Sequence, residues 1–105
     1  MPSHRVVEDR SLAYHRVIAA RVVTDETIVL RARERVRAWE RDAPMSREYV
    51  EAWRALLDGP IEVLTACMVD RSEHARALRQ TTPFAGALSA RERWRIFREV
   101  RESRP

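Results

Sequence analysis

Polar and apolar positions follow one another along most of this chain with the three-and-four spacing of helices that bury one face. Between Ser11 and Val23, Tyr14, Ile18 and Val22 fall at i, i+4 and i+8, with Leu12 and Ala19 beside them. Thr24 and Asp25 have the short polar side chains of a helix cap. In the second helix that follows, Ile28, Ala32, Val36 and Trp39 make one stripe, and Arg31, Arg33, Glu34, Arg35 and Arg37 cover the rest. Pro44 stops it, and Ser46 with Glu48 opens a third helix carrying Tyr49, Val50, Trp53, Leu56 and Leu57 on one side. Asp58-Gly59-Pro60 ends the third: glycine suits the left-handed position after a helix, and proline suits the first turn of the next. A short fourth helix runs through Ile61, Val63, Leu64, Cys67 and Met68.

Asp70-Arg71-Ser72-Glu73 has the form of a capping box and starts a fifth helix with Ala77 and Leu78 inside. Ser89-Ala90-Arg91-Glu92 is a full capping box for a last helix with Trp94, Ile96, Phe97 and Val100. Val6-Val7 and Ile28-Val29-Leu30 are short β-branched runs, but the helix signals around them outweigh a strand. The pattern predicts an all-α fold, a small bundle of five or six helices. It assigns residues 1–10 to a flexible N-terminus and 11–102 to a single helical domain, with Trp39, Trp53, Leu57, Leu64 and Leu78 in the core.

The clearest interruption is LRQTTPFAGALSARERW, Leu78 to Trp94. Pro83 disfavours helix at Thr82, and Gly86 permits a positive φ. Phe84 then has two readings. It is a wedge that fixes the angle between the last two helices, or it is an anchor that a rigid loop presents to another protein.

Composition narrows the class. At 105 residues the chain supports one core. An apolar fraction of 45% with 34% charged residues and two glycines fits helices with solvated faces rather than a sandwich or barrel. No apolar run approaches the ~18 residues of a membrane span, and the start, MPSHRVVEDR, has no apolar region like that of a signal peptide. The single cysteine, Cys67, cannot form an internal disulfide, which agrees with a reducing compartment. The expectation is a cytoplasmic protein with no membrane partner.

The net charge of +4 invites a nucleic-acid reading, but all twenty basic residues are arginine and there is neither lysine nor asparagine. A G+C-rich coding sequence produces that bias, so the arginine count by itself says little about phosphate binding. Distribution says more: residues 44–74 sum to −3 and residues 75–105 to +5.

Catalytic and metal-binding patterns are absent from the sequence. His4, His15 and His74 lack the spacing that sets metal ligands on one helical face, and one cysteine cannot build a thiolate cluster. No phosphate-cradling or nucleophile-elbow motif occurs. Cys67 reads as a small buried hydrophobe, and Trp39, Trp53 and Trp94 each read as core residues on an apolar stripe. No enzyme activity and no cofactor are expected. Arg91, Arg95 and Arg98 share a face of the last helix, either as a solvated salt-bridged surface or as a basic rim for an acidic partner.

One segment resembles a known family. Trp39, Trp53 with Leu56-Leu57-Asp58-Gly59-Pro60, Asp70, Leu78-Arg79-Gln80, Pro83-Phe84-Ala85-Gly86, Leu88 and Glu92-Arg93-Trp94 resemble a helical region of Xre-type antitoxin-like regulators of actinobacteria and proteobacteria. The similarity spans roughly residues 12–100, and LRQxxPFAGxL…ERW is its most specific part. In longer members this region follows a helix-turn-helix; none is recognisable ahead of residue 11, so DNA binding is not carried over. The resemblance implies a non-enzymatic module that binds and neutralises a partner protein, a cognate toxin. Its partner-facing residues would be Phe84, Leu88, Arg91, Arg95 and Arg98. A second copy of the chain is another candidate partner, given the acidic middle and basic end. The alternative is a nucleic-acid-binding helical protein that uses Arg91, Arg95, Arg98 and Arg101.

Overall fold

Six helices appear in the computed structural model, which describes residues 4–42 and 46–103: α1 (His4–Val22), α2 (Glu26–Asp42), α3 (Arg47–Asp58), α4 (Ile61–Met68), α5 (Glu73–Gln80) and α6 (Ala90–Glu102). No strand occurs among the described residues, and the all-α expectation holds. Residues 43–45 lie outside the described residues, and with them the stop assigned to Pro44.

Local chemistry explains three of the six helix starts. The Asp25 carboxylate accepts from the Thr27 amide at 3.1 Å and its hydroxyl at 2.5 Å, satisfying a donor that the first turn of α2 leaves open. The capping box of α6 forms as expected. The Ser89 hydroxyl accepts from the Glu92 amide at 3.1 Å, and the Glu92 carboxylate accepts from the Ser89 amide at 3.0 Å. At α5 the cap is Ser72, whose hydroxyl oxygen accepts from the Ala75 amide at 3.2 Å, so the box does not begin at Asp70. Asp70 falls two residues too early for its side chain to reach the first open amides of α5.

Two of the sequence expectations are corrected at the chain's start and at Gly59. α1 begins at His4 rather than Ser11, so residues 4–10 are helical where a flexible segment was expected. Tertiary contacts hold them: Glu8 pairs with Arg76 on α5 at 3.6 Å, and the Arg10 guanidinium sits 5.0 Å above the centre of the Phe97 ring on α6. Residues 1–3 lie outside the described residues. Gly59 has φ −92° and ψ −170°, an extended conformation open to any residue. Its lack of a side chain matters for a different reason, because a Cβ there would come within 3.1 Å of the Ala55 carbonyl oxygen.

Arginine closes the helix ends where left-handed glycine does not. Arg33 of α2 donates to the Leu57 carbonyl through Nε at 3.1 Å and Nη2 at 2.7 Å. The buried Arg79 of α5 donates from Nη1 to the Met68 and Asp70 carbonyls, at 3.2 and 2.6 Å. Both place a positive charge where a helix ends in unpaired carbonyls.

α1 is the central helix and packs on α2, α4, α5 and α6, while α3 packs on α2, α4 and α5. Ile18 and Val22, Val29 and Val36, Val50, Trp53 and Leu57, Leu64 and Met68, Leu78 and Ile96 meet in one cluster. The indole N–H of Trp53 donates to the Leu78 carbonyl at 3.1 Å, so the largest core side chain has no unpaired polar atom. Of the five expected core residues, Trp39 is the exception: it is half-buried and packs against the margin of the cluster.

Candidate functional site

The turn between α5 and α6 decides what can be presented at the surface. Phe84 is 3% exposed and Leu88 5%. The Phe84 ring meets Trp53 edge-on at 5.7 Å between centroids and His15 at 6.3 Å. A side chain held this way is the wedge of the two sequence readings, and neither it nor Leu88 is available as an anchor in the folded chain. Gly86 takes φ +88°, and the Ala87 amide closes the turn onto the Phe84 carbonyl at 3.0 Å. From α2, Arg35 donates to the Ala85 carbonyl at 2.8 Å.

A polar chain ties this turn to α1. The Phe84 amide donates to the Thr82 hydroxyl oxygen at 3.2 Å. His15 Nε2 lies 2.9 Å from that oxygen, and Nδ1 lies 2.8 Å from the Ser11 carbonyl oxygen. A carbonyl can only accept, so Nδ1 carries the proton and Nε2 accepts from the Thr82 hydroxyl. Burial pushes the imidazole below its ordinary range, the Ser11 carbonyl opposes this, and nearby Arg79 adds to it. A neutral, doubly bonded His15 is a structural residue.

Fixing the turn fixes α6. Glu92 caps the helix and also accepts from Arg21 of α1, and these bonds hold its carboxyl at about 2. Ile96 is buried and Val100 half-buried, so this side of α6 faces α1.

Trp94 overturns its sequence assignment, since it is 58% exposed. Two residues along a helix is about 200° of rotation, so with Ile96 inward Trp94 points outward. Its ring stacks on Phe97 at 5.5 Å, which holds it in place without covering it. Arg91, Arg95 and Arg98 stand three or four positions from Trp94 or from each other, and all three are exposed. With Trp94, Glu99 and Glu102 they line one shallow hollow of about 350 Å³. Arg98 pairs with Glu102 at 3.5 Å, while Arg91 and Arg95 make no ion pair among the described residues. Arg101 is exposed but lies outside the hollow. The structure thus brings together the three arginines expected to share a face, removes Phe84 and Leu88 from that set, and adds Trp94. The spacing of Trp94 from Ile96 was the signal that could have identified it.

The remaining chemistry is sparse. Among the described residues no three His, Cys, Asp or Glu side chains gather as metal ligands. His74 is exposed, and the Cys67 thiol is pushed up by burial, away from the thiolate a nucleophile needs. No described helix is long and apolar enough to cross a membrane. No family model, curated protein or solved structure matches this chain.

Proposed function

We propose that this chain is a non-enzymatic, cytoplasmic protein-interaction module that binds an acidic surface of a partner protein through the outer face of α6. Trp94 is the anchor and Arg91, Arg95 and Arg98 are the charged surround. The observation that carries the reading is Trp94 itself, a large aromatic ring exposed among arginines on a helix that is capped and paired to α1. Tryptophan and arginine are the residues in which binding energy concentrates at protein interfaces, and a pre-ordered helix loses little entropy on docking. The resemblance to antitoxin-like regulators supplies the biological form of the proposal, in which the partner is a toxin whose acidic face is masked. A nucleic acid would use the same arginines with Arg101, but Glu99 and Glu102 line the same hollow; a protein surface can set a basic or hydrogen-bonding group against them beside its acidic ones and a row of phosphates cannot, which favours a protein.

The test is co-expression with the product of the neighbouring reading frame. The expected result is rescue of growth and co-purification. Trp94→Ala should weaken that binding by about 30-fold, the loss of about 2 kcal/mol typical of an anchor. Wild-type affinity in both Trp94→Ala and Arg95→Glu, with melting unchanged, would remove the α6 face from the reading. Tight binding of a single-stranded oligonucleotide that falls steeply with salt would replace it with the nucleic-acid alternative.

A further inference from the structure

We infer that the outer face of α6 in one copy docks on the outer face of α4 in a second copy of the same chain. The inference rests on the reading of α6 as a protein-docking surface and names one partner for it.

α4 presents what the α6 face lacks. Leu64 and Met68 turn inward, and Glu62, Val63 and Ala66 on the other side are all exposed, with Val63 at 53%. Glu62 is the one charge in α4, and from Ala55 to Asp70 the chain carries Asp58, Glu62 and Asp70 with no arginine. All three acids are exposed; Asp58 pairs with Arg33 of its own chain at 3.5 Å, which leaves Glu62 and Asp70 to face a partner. A hydrogen bond from Ser72 holds the Asp70 carboxyl below its usual range, so it remains ionised near neutrality. An exposed valine beside Glu62, on a helix with an acid just beyond each end, complements an exposed indole beside Arg91 and Arg95, which make no ion pair among the described residues.

Topology selects the arrangement. α4 and α6 both pack on α1 and do not touch each other, so the two faces are separate places on one molecule. An α4-to-α4 contact about a two-fold axis would set carboxylate against carboxylate, and an α6-to-α6 contact would offer Arg91 and Arg95 only Glu99 and Glu102, of which Glu102 already pairs with Arg98. Charge is satisfied when α6 meets α4, a contact between unlike patches. One helix face on an eight-residue helix belongs to the small, weak class of interfaces, so association is reversible and concentration-dependent.

Two variants of the full chain test it by sedimentation at low salt. Glu62→Arg with Val63→Arg blocks the α4 face, and Trp94→Ala with Arg95→Glu blocks the α6 face; all four positions are exposed, and unchanged melting confirms the fold. The wild type should associate with rising concentration, and less so at high salt. Each variant should lose that association, while the two mixed should form a complex of one plus one, because each retains the face the other lacks. A monomeric wild type, a mixture that stays monomeric, or an α4 variant that associates like the wild type overturns the inference. Separation from the functional reading is direct. If the wild type is monomeric but blocking α6 abolishes capture of the neighbouring gene's product, this inference fails and the functional reading stands. If blocking α6 affects neither measurement, both fail.

Discussion

Replacing Phe84 with alanine should be among the most damaging single changes in this chain. The side chain is 3% exposed, lies edge-on to Trp53 and His15, and belongs to the same cluster as Leu88 and Ile96. Truncating a buried phenylalanine costs about 3 to 5 kcal/mol, from lost transfer free energy and from the cavity left when the surroundings relax only in part. Since whole domains are stable by about 5 to 15 kcal/mol, this is a large fraction of the total. For a chain of this size each kcal/mol lowers the melting temperature by about 4 to 5 °C, so a fall on the order of 15 °C is expected. Phe84→Leu keeps most of the volume and loses the two edge-on ring contacts, so it should cost about 1 to 2 kcal/mol.

Thermal and urea unfolding followed by far-UV circular dichroism measure both variants. Trp94→Ala is the control, since a ring that projects from the surface should change stability by no more than about 0.5 kcal/mol. A Phe84→Ala protein that melts within a few degrees of the wild type would refute the wedge reasoning. It would mean that the turn from Thr82 to Ser89 detaches at little cost, and Phe84 would return as an anchor.

Three further outcomes follow from the geometry. His15 is held below its ordinary pKa when folded, so as pH falls through about 6.5 the unfolded chain takes up a proton that the folded one refuses. Stability should therefore decline from neutrality toward about pH 5 in the wild type and stay flatter in His15→Gln, as read from urea midpoints; equal slopes would remove His15 as the cause. Arg79→Lys should cost about 1 to 2 kcal/mol, because an ammonium on a flexible stem does not reproduce the planar guanidinium whose Nη1 donates to both the Met68 and Asp70 carbonyls, while Arg95→Lys should be silent by the same unfolding assay. Gly86→Ala should cost about 1 kcal/mol from its positive φ although no atom stands near its Cβ, and Gly59→Ala should cost less, its only obstacle being the Ala55 carbonyl; the reverse order in urea midpoints would contradict the backbone assignment.

The number and order of helices were legible because apolar spacing and caps are local properties. Ser89 and Glu92 recognise each other across one turn, and no distant residue is needed to interpret them. The misread positions depend on partners far along the chain. Residues 4–10 have no strong helical stripe, and their helix is held by Arg76 and Phe97, some seventy to ninety residues later. Gly59 drew a left-handed assignment because glycine commonly supplies one after a helix, whereas here Arg33 of α2 pairs with the terminal carbonyl from twenty-four residues away. Trp94 was placed inside because it is apolar and helical, and rotation relative to Ile96 decides otherwise.

Arginine shows why the site was harder to read than the fold. Every Lys or Arg position in the chain is arginine, so composition cannot separate a residue that closes a helix from one that meets a ligand. Position in the fold makes that separation. Arg33, Arg35 and Arg79 donate to backbone carbonyls, Arg21 and Arg76 pair with carboxylates on other helices, and Arg10 covers an aromatic ring. These six hold the domain together, and their charge is engaged internally. Arg91 and Arg95 have no such partner among the described residues, and they share their face with an exposed tryptophan and two glutamates. A basic surface evolved for phosphates gains nothing from those glutamates, whereas a protein surface with mixed charge around an apolar centre can use every group present. The net charge of the chain suggested nucleic acid; the proposal of a protein partner rests instead on Trp94 and the mixed charges beside it.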